Sequence, residues 1–390
     1  MRIYLDHNAT TPVDPAVADE VAAALRDDFG NPSSIHHFGQ RAKARLDDAR
    51  TGVADLVGAD PSEIVFTSGG TEADNFALRG AAEALEPTGR RHLIATAIEH
   101  EAVLNTLKAL ARRGWRTTLL PVGATGIVSP EALGQALDAD TALVSVMLAN
   151  NEIGTIQPVA ELAAMARARG ALVHTDAVQA IGKIPVDVRA LGVDLLSLSA
   201  HKFGGPKGAG ALWIRRGVRL TALLTGGRHE RNRRAGTENV PAIVGLGAAA
   251  AAARAKLSGE PDRLRALRDR LERGILERVP ETAVNGALEP RVANTTNISF
   301  DGVEAESILI ALDLEGIAVS TGSACSSGTL EPSHVLRAMG LSAHRGQNAI
   351  RFSLGRGNTE AEIDRVVDRL PAIIAKLRAL AAGRAPAVRR

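Results

Sequence analysis

The sequence carries a single cysteine, Cys325, in 390 residues. No intrachain disulfide can therefore form, and nothing calls for an oxidising compartment. Lysine is also scarce: Lys43, Lys108, Lys183, Lys202, Lys207, Lys256 and Lys376 are the only ones among 46 basic residues. Any chemistry that needs an amine has few candidate positions. No apolar run reaches the roughly 18 residues of a membrane span; the longest, Ile243–Ala253, is mostly alanine and glycine. The opening Met1-Arg2-Ile3-Tyr4-Leu5-Asp6-His7 lacks the apolar stretch of a signal peptide. A cytoplasmic protein with no membrane partner is expected. Neither sign of charge dominates, since 46 Lys and Arg face 44 Asp and Glu for a net +2. That excludes the broad basic surface with which proteins coat nucleic acid.

With 45% hydrophobic and 23% charged residues the chain has the composition of a folded globular protein. Its length favours two domains with a cleft between them. Asp14-Pro15 reads as an N-cap followed by a first-turn proline, opening a helix to about Asp28. A second helix is expected over Gly39–Val57. Short β-rich runs (Ile64–Phe66, His92–Thr96, Arg116–Leu120, Ala142–Met147, Ala171–Thr175) then alternate with helical periods (Glu72–Ala84, Ala102–Arg113, Pro130–Leu137, Val159–Arg169). Such alternation predicts an α/β fold with a mainly parallel sheet covered by helices. Asp194–Ser197 and Gly210–Ile214 read as further strands, and Val240–Lys256 as a long helix packed through small side chains. Leu257-Ser258-Gly259-Glu260-Pro261 is the best linker. It sets a large domain over 14–258 against a smaller α+β domain over 259–380, joined by residues 1–13. The smaller one holds a charged helix from about Asp262 to Val279, a strand at Asn294–Phe300, a helix at Ala305–Leu314, a strand at Ala349–Leu354 and a final helix from Thr359. Residues 381–390 are expected to fray.

Four segments could carry chemistry. In Ser199-Ala200-His201-Lys202-Phe203-Gly204-Gly205-Pro206 a lysine follows an apolar strand and precedes a glycine-rich turn. A desolvated amine there can form a Schiff base, with Ser199 and His201 as phosphate donors; the plainer reading is a solvated lysine on a surface turn. Thr67-Ser68-Gly69-Gly70-Thr71-Glu72 links a strand to a helix through small residues, so its N–H groups and helix dipole suit an anion. It contains neither a Gly-Lys-Ser/Thr nor a three-glycine dinucleotide pattern; a plain capped turn is the other reading. Asp176 ends a strand, where α/β sheets place ligand-binding groups, and Gln179 follows three residues on. Such a carboxylate can keep a pyridinium nitrogen protonated, or it can simply cap a helix. His100, between a strand and a helix, is either structural or able to stack on a planar cofactor and carry protons.

The first three of these segments, the third as His174-Thr175-Asp176-Ala177-Val178-Gln179, together with Asp6-His7-Asn8-Ala9-Thr10-Thr11-Pro12, Gly30-Asn31-Pro32-Ser33-Ser34-Ile35-His36, Asn150-Asn151-Glu152-Ile153-Gly154, Arg234-Ala235-Gly236-Thr237-Glu238-Asn239 and Gly322-Ser323-Ala324-Cys325, resemble the cysteine desulfurases of the NifS/IscS type. The resemblance runs in unbroken order from Leu5 to about Arg356. It implies an aspartate-aminotransferase-like fold (fold type I of the pyridoxal 5'-phosphate enzymes) and a homodimer acting on L-cysteine. By that resemblance Lys202 would hold the cofactor as a Schiff base and move the Cα proton. Asp176 would pair with the pyridinium nitrogen, Gln179 would bond the phenolic oxygen, and His100 would stack on the ring and serve in acid/base steps. Gly70, Thr71, Ser199 and His201 would bind the phosphate, joined by Thr237 from the second subunit. Asn151, also beside the cofactor, and Arg351 would hold the substrate carboxylate. Cys325 would take the sulfur as a persulfide and pass it to a protein acceptor such as an iron–sulfur scaffold. A transient iron–sulfur contact at Cys325 is the only metal contact expected.

Small polar residues surround Cys325 from Ser320 to Glu331, so the thiol is expected on an exposed, mobile loop and not as inert packing. The length of that loop resembles the long-loop branch of the family. The segment Gly226–Thr237 is richer in arginine than the family pattern. The reading is thus a desulfurase that converts L-cysteine to L-alanine. A selenocysteine lyase or another class-V pyridoxal-phosphate enzyme is the nearest alternative, and a non-catalytic scaffold that kept the fold is the alternative of another class. A nicotinamide dehydrogenase is disfavoured by the missing Gly-x-Gly-x-x-Gly turn.

Overall fold

A computed structural model describes residues 2–321 and 333–383; Cys325 and its neighbours 322–332 lie outside the described residues. The strands are β1 (Ile3–Tyr4), β2 (Ile64–Thr67), β3 (His92–Thr96), β4 (Arg116–Leu120), β5 (Thr141–Ser145), β6 (Leu172–Asp176), β7 (Leu195–Ser199), β8 (Gly210–Ile214), β9 (Thr282–Val284), β10 (Thr295–Phe300), β11 (Ile317–Ala318) and β12 (Ala349–Ser353). Seven of them form one sheet in the order β2-β8-β7-β6-β5-β3-β4. Only β8 runs against its neighbours, while the other four pairings are parallel. The expected mainly parallel α/β sheet is what forms.

The strand sequences explain this sheet. β2, β3, β5, β7 and β8 are buried at every position, as unbroken Val/Ile/Leu-rich runs must be when helices cover both faces. β4, at the edge, carries Arg116 and two threonines and is largely open, which blunts an edge that could otherwise pair with another chain. The chain leaves β3 outward to β4 and returns inward to β5, so the strand order reverses between β3 and β5. In open α/β sheets such a reversal opens a crevice at the carboxyl ends of the strands.

The small-residue helix Val240–Lys256 is buried along most of its length. Its alanines and glycines permit close approach to the helix His37–Val57: a Cβ on Gly247 would lie 2.5 Å from Ala49 Cα. The chain then turns by 76° into the helix Glu260–Arg278. That helix begins two residues before the expected Asp262, because Pro261 fits the first turn, where its missing N–H leaves nothing unpaired.

A second core gathers Leu264, Leu271, Ile298, Phe352 and Ile363 with Ile3 and Leu5 from the opposite end of the sequence. Around it stand the antiparallel sheet β12-β10-β9 and the parallel pair β1–β11, with the helices Ala305–Leu314 and Glu360–Ala382. β1, β9 and β11 and the short helices Val188–Leu191, His334–Ala338 and Ala343–Gln347 have no counterpart in the sequence reading; they are too short to show a period. Among the described residues no single helix is long and apolar enough to cross a membrane.

Candidate active site

A cavity of about 310 Å³ lies where the carboxyl ends of β6 and β7 meet the start of the helix Gly70–Leu85. It brings together Gly70, Thr71, His100, Asn151, Asp176, Gln179, Ser199, His201, Lys202 and Arg351, residues spread over nearly three hundred positions of sequence. Of the other expected site residues, Thr237 lies exposed and outside this cavity, and Cys325 is outside the described residues.

Lys202 closes the 3-10 turn Ala200–Lys202 that follows β7. Its Nζ donates to the carbonyls of Asn8 (2.7 Å) and Ala9 (2.8 Å). The solvated surface lysine is therefore not what forms: the side chain is half-buried and held against the N-terminal segment. Asp176, the last residue of β6, caps no helix; its Oδ1 accepts the Val178 N–H at 2.9 Å. Burial pushes its pKa up, while the charges of His100 and Lys202 pull it down.

The anion-binding expectation for the glycine turn has a structural basis. Gly69, at φ +154°, precedes the sixteen-residue helix Gly70–Leu85, and no side chain among the described residues caps its first turn. Uncapped N–H groups and the helix dipole are left for an anion, with Ser199 and His201 beside them in the cavity lining. A Cβ at Gly70 would lie 2.9 Å from Val178 Cγ2, so a side chain there would close this end. His201 Nδ1 lies 3.1 Å from Thr10 Oγ1, and burial, with Lys202 and Lys207 nearby, lowers its pKa to about 4. It faces the cavity as a neutral imidazole.

His100 is the N-cap of the helix Glu101–Ala111, and its Nδ1 accepts the Ala102 N–H at 3.1 Å. With Nδ1 occupied as acceptor, Nε2 is the ring nitrogen that carries a proton. Arg351, from β12, is almost wholly buried. One arm of its fork donates to the Asn151 carbonyl at 3.0 Å and the other to Asp6 Oδ1 at 2.7 Å, so the guanidinium is already oriented at the cavity wall. Its backbone N–H donates to the Ser320 carbonyl. Ser333 donates to Glu152, and His334 lines the cavity. Both chain ends that flank residues 322–332 thus sit beside the site.

Several cavity groups were not found from the sequence. Asn8 and Ala9 come from the far N-terminus. Asp74 lies one helical turn past Gly70 and is held well above the usual carboxylate range by burial and by the charge of Asp176. Behind it, His174 is kept neutral by burial, its pKa lowered to about 3, and its ring nitrogens meet Ser145 and Ser197 at 2.9 Å each. The signal for Asp74 was present, a charged residue on the apolar side of a helix, but a helical period alone does not say what packs there.

Glu99, next to His100, is fully buried; Thr96 and the Met147 N–H donate to its Oε1 at 2.6 and 2.8 Å, and Oε2 has no partner among the described residues. Burial raises its pKa to about 8. Folding therefore takes up a proton between about pH 4.5 and 8, and the stability this carboxyl contributes is lost as pH rises through that window. Glu99→Gln, which mimics the protonated form, is expected to gain on the parent by on the order of 3 kcal/mol between pH 5 and 9 in urea melts. Parallel pH profiles for the two proteins would show that the pKa is not raised.

The family model described as aminotransferase class-V matches residues 3–366. A cysteine desulfurase IscS of Methanosarcina thermophila is 50% identical over 376 residues, covering 96% of this chain and 93% of the relative. A cysteine desulfurase of Nostoc sp. is 51% identical over 378 residues, covering 97% and 94%. Among solved structures a NifS-like protein superposes with a TM-score of 0.91 at 41% identity, covering 97% of this chain and all of the other. SspA in complex with cysteine superposes with a TM-score of 0.81 at 35% identity, covering 91% and 99%. With a single family match spanning both cores and half of all positions shared with such relatives, the chain belongs to the aminotransferase class-V family.

Proposed function

We propose that the protein is a cysteine desulfurase: it takes the sulfur of L-cysteine, releases L-alanine and holds the sulfur as a persulfide on Cys325. The observation that carries this reading is the meeting of Lys202, Asp176 and an uncapped helix N-terminus on one cavity, in a chain with one thiol. The names of the relatives and the cysteine of the SspA complex support it.

The donor set fits pyridoxal 5'-phosphate. The first turn of the helix Gly70–Leu85, Thr71, Ser199 and His201 would hold the phosphate, with Thr237 supplied by the second subunit of a homodimer. Asp176 would meet the ring nitrogen, Gln179 the phenolic oxygen and His100 the ring face, while Lys202 would bind the aldehyde carbon. When bound, the cofactor acidifies the substrate Cα by drawing its electrons into the protonated ring.

The chain's own groups then do the following. Lys202 Nζ, freed when substrate displaces it, takes the Cα proton and returns it on product release. Asn151 and Arg351 orient the carboxylate, Arg351 through a fork already fixed by Asp6. His100 Nε2 would serve as proton donor. The Cys325 thiolate attacks the substrate sulfur; an S–S bond forms, the C–S bond breaks, and its electron pair goes to carbon and is protonated. No external oxidant or reductant is consumed.

In this reading residues 14–258 hold the cofactor, and 259–380 with 1–13 form the smaller unit that carries Cys325. The protein works in the cytoplasm, passing sulfur to a protein acceptor such as an iron–sulfur scaffold, where a transient iron–sulfur contact at Cys325 belongs. Purified protein supplied with the cofactor should show a visible absorption band and form alanine from L-cysteine. Asp176→Asn should keep the band and turn over about 10²–10³-fold more slowly, since a neutral amide cannot hold the ring nitrogen protonated. Unchanged turnover in that variant would remove Asp176 from the mechanism, and a colourless parent would favour the scaffold alternative.

A further inference from the structure

Lys183 lies four residues past Gln179, and no part of the reaction above uses it. Its Nζ donates to Gln179 Oε1 and, at 2.8 Å, to Asn8 Oδ1. The Asn8 amide is fixed independently: its Nδ2 donates to the Asn151 carbonyl (3.1 Å) and Thr295 Oγ1 (2.9 Å), and its Oδ1 also accepts from Asn294. Lys183 is therefore anchored to a rigid partner on one side and grips the Gln179 oxygen on the other.

The opposite end of the Gln179 amide shares an acceptor with Lys202. Gln179 Nε2 donates to the Asn8 carbonyl at 2.9 Å, the same oxygen that accepts from Lys202 Nζ. A carboxamide can flip, exchanging its donor and acceptor ends at little cost in shape. A flip would bring the Gln179 oxygen to the side on which Lys202 Nζ donates. Lys183 competes for that oxygen from the other side.

We propose that Lys183 is a positioning residue that locks the Gln179 carboxamide with its N–H donors toward Lys202, so that a ligand oxygen beside Lys202 meets a donor and not an acceptor. The proposal rests on the pyridoxal-phosphate reading, in which that oxygen is the phenolic one. Burial and the charges of Lys202 and Arg351 hold the Lys183 amine well below the usual lysine range, and His7, its other titratable neighbour, is kept neutral near a pKa of about 4. The grip on Gln179 is thus an N–H donor's and does not require a full positive charge.

The test is a pH titration of the visible band of the cofactor-loaded enzyme, which reads the proton on the Lys202 linkage. A donor to the neighbouring phenolic oxygen favours the deprotonated linkage, in which that oxygen has lost its internal partner. Lys183→Met is expected to raise the apparent pKa by about one unit, the size of one charge-assisted hydrogen bond. Gln179→Ala should raise it equally, and the double variant should match Gln179→Ala alone. An unchanged titration, or shifts that add in the double variant, would overturn the proposal, since a through-space charge effect adds. Lys183→Arg keeps the N–H donors and should titrate as the parent does; a shift as large as that of Gln179→Ala overturns the proposal even where Lys183→Met does not fold. A parent with no visible band defeats the cofactor reading itself, a separate result.

Discussion

Lys202→Ala is expected to abolish the visible band and to lower alanine formation from L-cysteine about 10⁴-fold or more, since in the proposed mechanism it removes both the covalent attachment and the base; proton transfer alone contributes about 10²–10⁴. The fold should survive. Lys202 sits on a three-residue turn between a fully buried strand and Gly204, and its amine donates to two carbonyls at the cavity edge. Water entering the vacated space can replace those bonds, limiting the cost to about 1–3 kcal/mol. The check is a visible spectrum beside a thermal melt. Lys207 is exposed and lines no part of this cavity, so it cannot take over; a retained band with full turnover would show that the linkage lies elsewhere.

The second large effect is expected at Cys325. Cys325→Ser should stop sulfur transfer, because an alcohol is a far weaker nucleophile toward sulfur than a thiolate. L-Cysteine should still bind and change the visible spectrum, since every described cavity residue is untouched. With one cysteine in the chain the readout is direct: mass spectrometry after exposure to L-cysteine should find a sulfur adduct on the parent and none on the variant. A variant that releases sulfide as fast as the parent would mean that the product leaves by elimination, and the selenocysteine lyase alternative would then lead. The two variants fail at different steps. Lys202→Ala loses the spectral response to cysteine, and Cys325→Ser keeps it.

Much of the site was legible because α/β folds place their chemistry at strand ends, and strand ends are marked in the sequence. Asp176, Ser199 and Thr67 close strands that are almost wholly buried, and His100 stands at the first turn of a helix. Such positions follow from local patterning: the strand must end where its hydrophobic run ends, and the next side chain then faces the crevice. The small-residue turn before Gly70 was readable for the same reason, since only residues without bulk leave helix N–H groups open. The short elements β1, β9 and β11 were not, because two or three residues are too few to display an alternation.

Local patterning thus accounts for the alternation that builds a parallel sheet, for the end of that sheet at which the cavity opens, and for the amine, carboxylate and thiol available for chemistry. Which distant residues complete the site was settled only when the chain folded. Asn8 meets Lys202, Lys183 and Asn294; Asp6 fixes Arg351 across almost the whole chain; and the carboxyl pKa values of Glu99 and Asp74 are raised because burial denies their charged forms the solvent they need. None of these has a period or spacing that announces it. A hydrophobic pattern encodes which face of an element is buried, but the partner of a buried polar group is set by which segments the folded chain brings within about 3 Å of it, and that depends on every crossover at once.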